Sequence, residues 1–150
     1  MSRSIRRLVW AIPVFAAVLF TTGCLSGPFA STQLDEAAKT FTPPDGQANV
    51  YIMRDTSWPG YSCQVLMDGS ATGWIVASSF EVVAVAPGSH IASCVIFDHT
   101  GRAQFFAQAG KNYFFEVVAS PGWNTPTVAL KESSEESGKA LVTKDRRAAD

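Results

Sequence analysis

The sequence predicts an all-β fold: a small antiparallel β-sandwich of about seven to eight strands, with a short helix or tail at its C-terminal end. Three observations lead there. From Ala48 onward the chain consists of short runs rich in β-branched and aromatic residues, such as Val50-Tyr51-Ile52 and Tyr113-Phe114-Phe115, a composition that fits a pleated, half-buried surface. The runs are punctuated by Asp68-Gly69, Pro87-Gly88 and Gly110-Lys111, each with the glycine that a tight reversal or a positive φ requires. Several runs carry apolar residues at both parities, as in Phe80-Glu81-Val82-Val83-Ala84-Val85, which places those strands centrally and partly covers their second face. Two packed sheets around one core are the economical arrangement for such strands.

Ahead of the strands, residues 1–23 read as an export signal peptide. Arg3, Arg6 and Arg7 precede an unbroken apolar run of thirteen residues, Leu8 to Phe20, followed by Thr21-Thr22-Gly23-Cys24; charged, apolar and small-residue regions in that order are the signal pattern. As a helix the run is about 20 Å long, at about 1.5 Å per residue, against roughly 30 Å of hydrocarbon to be crossed. The alternative is an uncleaved signal anchor, which needs Thr21 to Leu25 to be tolerated in the span. The Gly23-Cys24 junction resembles the bacterial lipobox, although Thr21 stands where that motif usually has Leu. The resemblance implies cleavage before Cys24 and a diacylglyceryl group on its thiol, so the membrane is the expected partner through an N-terminal lipid. Leu25, rather than Asp, implies the periplasmic side of the outer membrane in a diderm cell, and otherwise the outer face of the plasma membrane.

Residues 24–47 are small and polar, carry Pro43-Pro44, and hold at most a short helix at Gln33 to Lys39; they read as a lipidated tether. The β-domain is expected over 48–131, with strands near Asn49–Arg54, Cys63–Met67, Gly73–Val76, Phe80–Val85, His90–Phe97, Ala103–Gln108, Tyr113–Ala119 and Thr127–Lys131. In residues 132–150, Ser133-x-x-Glu136 is a capping-box pattern that starts a helix through Leu141, with Gly138 weakening it. Lys144 to Asp150 read as a solvated tail.

Three cysteines are an awkward number for an exported chain unless one is occupied otherwise. With lipid on Cys24, Cys63 and Cys94 remain as a candidate disulfide, free thiols and a metal pair being the alternatives. No metal site is expected, because His90 and His99 are the two histidines and neither a C-x-x-C nor an H-x-x-x-H spacing occurs. Loss of the three signal arginines leaves nine basic residues against thirteen acids, a formal charge of −4, which disfavours nucleic acid as a partner. No phosphate loop or calcium loop is present, and Gly60-Tyr61-Ser62-Cys63-Gln64 lacks the second glycine of a nucleophile elbow. Asp98-His99-Thr100-Gly101 has turn composition, and His90 has no carboxylate near it in sequence. No cofactor and no enzymatic activity are expected.

The order Phe41-x-Pro43-Pro44-x-Gly46-x-Ala48-x-Val50-Tyr51-Ile52-x-Arg54, Val65-x-x-Asp68-Gly69, Val85-x-Pro87-Gly88-x-His90, Ala109-Gly110-Lys111-x-Tyr113-Phe114 resembles a family of small bacterial lipoprotein domains of unknown function. It is also similar to PEGA-type β-domains of cell surfaces. The resemblance spans roughly residues 41–131, implies a β-sandwich on a lipid anchor, and carries over no catalytic residues. If the strands alternate in direction, connections 55–62, 77–79, 98–101 and 120–126 fall at one end. That end collects Trp58, Tyr61, His99 and Trp123, a candidate binding surface; the alternative is that Trp58 or Trp123 plugs the core. The expected function is therefore a non-enzymatic envelope interaction or structural module, with envelope proteins or peptidoglycan as partners. A glycan- or peptidoglycan-binding accessory domain is the second reading, and a hydrolase using His99 or His90 the third.

Overall fold

The computed structural model describes residues 29–55, 61–120 and 127–149. The signal region, Cys24, Trp58 and Trp123 lie outside the described residues.

The eight expected strands all form: β1 (Ala48–Arg54), β2 (Cys63–Met67), β3 (Ser70–Ile75), β4 (Ser79–Val85), β5 (Gly88–Ile96), β6 (His99–Ala107), β7 (Asn112–Ser120) and β8 (Thr127–Glu132). A ninth, β9 (Arg146–Arg147), comes from the C-terminal segment. They make a five-stranded sheet ordered β8-β7-β1-β4-β9 and a four-stranded sheet ordered β3-β2-β5-β6. Most pairs are antiparallel, but β1 runs parallel to β7 and β4 parallel to β9, so the larger sheet is mixed. At one edge the sheets approach closely where Gly101 of β6 lies under β8: a Cβ there would sit 2.9 Å from the Ala129 backbone.

The core fills the space between the sheets. Ala48, Val50 and Ile52 meet Val65, Ala92 and Ile96 there, with Phe115 and Val117 alongside. The disulfide between Cys63 and Cys94 lies within this core, joining neighbouring strands β2 and β5 across Cα atoms 5.9 Å apart. Both cysteines are fully buried.

The apolar residues of opposite parity are covered as well. Tyr51, Met53, Phe80 and Phe114 form a second cluster with Ala38 and Val142, because two helices lie on the outer face of the five-stranded sheet. Helix α1 (Thr32–Ala38) starts on Ser31, whose side chain accepts from the Leu34 amide, and its end is fixed by the Tyr51 hydroxyl, which donates to the Ala38 carbonyl at 2.8 Å. Burial pushes the Tyr51 phenol up to about 12. Helix α2 (Glu135–Lys144) lies over Phe114, and a Cβ on Gly138 would run into that ring. Gly138 therefore costs the helix propensity but permits the close approach that buries its apolar side.

Three expectations are corrected. The segment expected as a tether is folded from Phe29 onward: it contributes α1, and Phe41 joins the second cluster. The cap of α2 is Ser134, which accepts from the Ser137 amide at 3.2 Å, not Ser133, because the Ser133 amide still donates to the Phe114 carbonyl as a continuation of β8. The C-terminal segment is not a solvated tail. The Ala148 amide donates to the Phe80 carbonyl at 2.8 Å, the Ala30 amide donates to Arg147, and Ala148 is fully buried. Lys39 locks this junction, donating to Asp35 at 2.8 Å and to the Asp145 carbonyl at 2.7 Å.

Candidate binding face

With helices over the outer face of the five-stranded sheet, the outer face of the four-stranded sheet is the one left open among the described residues. The disulfide sets which side chains point there. Cys63 and Cys94 face the core, so the opposite parity of β2 and β5 faces out: Gln64 and Leu66 on β2, and Ile91, Ser93 and Val95 on β5. The ladder aligns these residues in rows across the sheet. Trp74, Gln64, Val95 and Thr100 make one row, and Leu66, Ser93 and Arg102 the next. Ile91 with Gln104 and Ser89 with Phe106 follow. Successive rows are about 7 Å apart, two residues of strand rise.

The face is unusually apolar for an uncovered surface. Six large apolar residues are exposed among the described residues: Leu34, Tyr61, Trp74, Ile91, Phe97 and Phe106. All but Leu34, which lies on α1, belong to this sheet or its rim. Trp74 is 53% exposed, Phe97 67% and Phe106 62%. Isolated exposed apolar residues are ordinary, whereas a contiguous group on one face is not. Two adjoining depressions share Val95: one of about 370 Å³ between Tyr61, Gln64, Trp74 and Phe97, the other of about 470 Å³ from Leu66 and Asp68 across to Arg102. Tyr61 and Phe97 meet edge to face with ring centroids 4.9 Å apart. The backbone beneath Tyr61 is held by the Arg54 guanidinium, which donates to its carbonyl.

At the other end of the face sits a hydrogen-bonded clip. Asp68 and Gly69 both take positive φ in the β2–β3 turn, the conformation a two-residue hairpin demands and Asp-Gly supplies. The Asp68 carboxylate accepts from the Ile91 amide at 2.9 Å, and its second oxygen lies 2.7 Å from His90 Nδ1. His90 Nε2 lies 2.8 Å from the Ala86 carbonyl oxygen. Both ring nitrogens thus face acceptors, an arrangement only the imidazolium satisfies with two donors. The hydrogen bond that His90 donates to Asp68 raises the His90 pKa above its ordinary value, and the same bond lowers that of Asp68.

The residues singled out in the sequence are distributed as follows. Tyr61 is at the expected end of the sandwich, against Phe97. His99 is there too, but as the first residue of β6 rather than in a loop; the reversal is Phe97-Asp98, with Phe97 at φ 56°. Its Nε2 lies 3.1 Å from the adjacent Asp98 carboxylate, so the two side chains do meet. His90, read as lacking a carboxylate, has one from Asp68, which lies 22 residues away in sequence but next to it in the sheet. Trp74, Ile91 and Phe106 were not singled out. The parity opposite the paired cysteines is the signal that finds Ile91, and with it Leu66, Val95 and Phe97.

Comparison with known proteins adds similarity without a function. No family model matches the chain. A protein of Haemophilus influenzae (strain ATCC 51907 / DSM 11121 / KW20 / Rd), described as an uncharacterized protein, is 25% identical over 143 residues, covering 93% of this chain and 84% of its own length. No solved structure matches.

Proposed function

We propose that this chain is a non-enzymatic, lipid-anchored protein of the bacterial envelope whose working surface is the open face of the four-stranded sheet. The observation that carries the reading is the gathering of Tyr61, Trp74, Ile91, Phe97 and Phe106 on that face, since burying flat apolar side chains that lose little entropy is how rigid β-scaffolds bind. The anchor rests on the signal pattern ending in Gly23-Cys24. Catalysis by the histidines is disfavoured by their bonding. Both nitrogens of His90 are engaged, and neither its partner Asp68 nor its partner Ala86 offers a nucleophile; His99 contacts a carboxylate that is itself 87% exposed.

Two measurements test this. Intact mass of the protein purified from membranes reads lipidation at Cys24 directly, and an unmodified cysteine there removes the anchor. A photo-crosslinking residue at Phe97, set against one at Glu136 on α2, reads the surface. Crosslinks to envelope components from position 97 alone are expected, and equal yields from both positions would remove this face from the proposal.

A further inference from the structure

We propose that the open face binds a glycan strand bearing carboxylates, the peptidoglycan of the cell wall, with Trp74 as stacking platform and Arg102 as carboxylate contact. The proposal rests on the reading of this face as the working surface and names its ligand.

Size is the first argument. The face is about 14 Å wide between the axes of its outer strands, at about 4.8 Å per gap, and about 27 Å long from Ser89 to Phe97, roughly 400 Å². A narrow face of this length suits an extended chain.

The second argument separates a glycan from a peptide. An extended peptide is captured at a sheet edge, where unpaired backbone groups complete its ladder. Here the depressions lie over β2 and β5, each flanked by strands on both sides, so their backbone groups are spent within the sheet. What the face offers is side chains: a half-exposed indole on β3, the planar amide of Gln64 beside it on β2, and the guanidinium of Arg102 in the next row, two strands beyond Gln64 on β6. Flat rings pack against the apolar C–H face of a sugar, while amides, hydroxyls and guanidinium groups read its rim. Apolar and polar groups alternate along the row Trp74, Gln64, Val95 and Thr100, which matches a chain of amphipathic rings better than a lipid surface.

Charge supplies the third. The mature chain is acidic, and of the two charged residues on the lower depression Asp68 is engaged by His90. Arg102 is exposed and has no ion pair among the described residues. A guanidinium so placed is matched to carboxylate, to which it can bond in bidentate fashion. A neutral polysaccharide leaves it unused.

The test is co-sedimentation of the purified lipidated protein, in detergent, with protein-free peptidoglycan sacculi and separately with chitin, the neutral N-acetylated polymer. Binding to sacculi is expected to exceed that to chitin and to weaken with salt. Trp74→Ala should lower affinity for sacculi about tenfold or more, as loss of a central aromatic anchor does, and Arg102→Gln should lower it several-fold and flatten the salt dependence. Both side chains are exposed, so unchanged thermal midpoints will show that the variants fold. Failure to sediment with sacculi, or a Trp74→Ala variant that sediments like the parent, overturns the glycan proposal. Equal binding to chitin with an indifferent Arg102→Gln overturns its acidic character. If sacculi do not bind while crosslinks from position 97 to an envelope protein persist, the ligand is wrong and the working surface stands.

Discussion

The clip formed by Asp68, His90 and the Ala86 carbonyl joins two turns that are remote in sequence, and its strength depends on pH in a direction that follows from the shifts. His90 has a folded pKa raised above its ordinary 6.5, so its contribution is complete below that value and is lost as pH rises through the folded pKa. Asp68 has a folded pKa below 3.8, so its contribution is present above that value and lost as pH falls through the depressed one. The clip is therefore whole in mildly acidic solution and loosens in alkali. With the Asp68 side chain half exposed, solvent screening keeps the effect below about 1 kcal/mol. Denaturant midpoints should fall modestly between about pH 6 and pH 9, and His90→Gln should remove most of that slope; an unchanged slope in the variant would assign it to other groups. His90 was legible as a strand-start residue because it follows Pro87-Gly88. Its carboxylate was not, because the contact depends on the register of β2 against β5.

At the scale of single elements, α2 shows how packing reverses a local preference. In an exposed helix Gly→Ala is stabilising by about 1 kcal/mol. At position 138 the added methyl meets the Phe114 ring, so Gly138→Ala should instead destabilise the protein by about 1–3 kcal/mol, the usual range for overpacking, as read by urea denaturation. The disulfide works on β2 and β5 in a similarly non-local way. It closes a sequence separation of 31 residues, which in the chain-entropy account corresponds to about 3–4 kcal/mol. Reduction, or the double replacement Cys63→Ala with Cys94→Ala, should lower the thermal midpoint accordingly. The pairing was one of several options while only the count of cysteines was available; the adjacency of β2 and β5 brings them together. Most strands were legible because turn pairs bound them and their residues are β-branched or aromatic. β9 was not, because Arg146-Arg147 has no strand pattern and becomes extended only by pairing with Ser79 and Phe80.

For the molecule as a whole, the two ends of the described chain stabilise each other. Phe29 bridges Ala148, the Arg147 amide donates to the Asp35 carboxylate at 2.7 Å, and Lys39 spans both. Deleting residues 145–150 should therefore free α1, seen as loss of hydrogen-exchange protection at 35–39 while the β2–β5 ladder stays protected. The same closure shortens the leash. If Cys24 carries the lipid, four residues lie between it and Phe29, and the five Cα steps reach at most about 18 Å, far less than a tether running to Gln47 would allow. The domain is then held close to its membrane, and its ligands are confined to what approaches that surface.

The sequence by itself determined the β-strands, their turns and the sandwich class, because those depend on residue shape, alternation and turn chemistry read over a few positions. Tertiary structure decided which strands are neighbours, that β1 and β7 run parallel, and that both termini pack onto one sheet. It also decided where the open face lies. Tyr51 and Trp74 are both aromatic residues on strands, yet one is buried under α1 and the other faces solvent, because whether a face is covered depends on where distant helices come to rest.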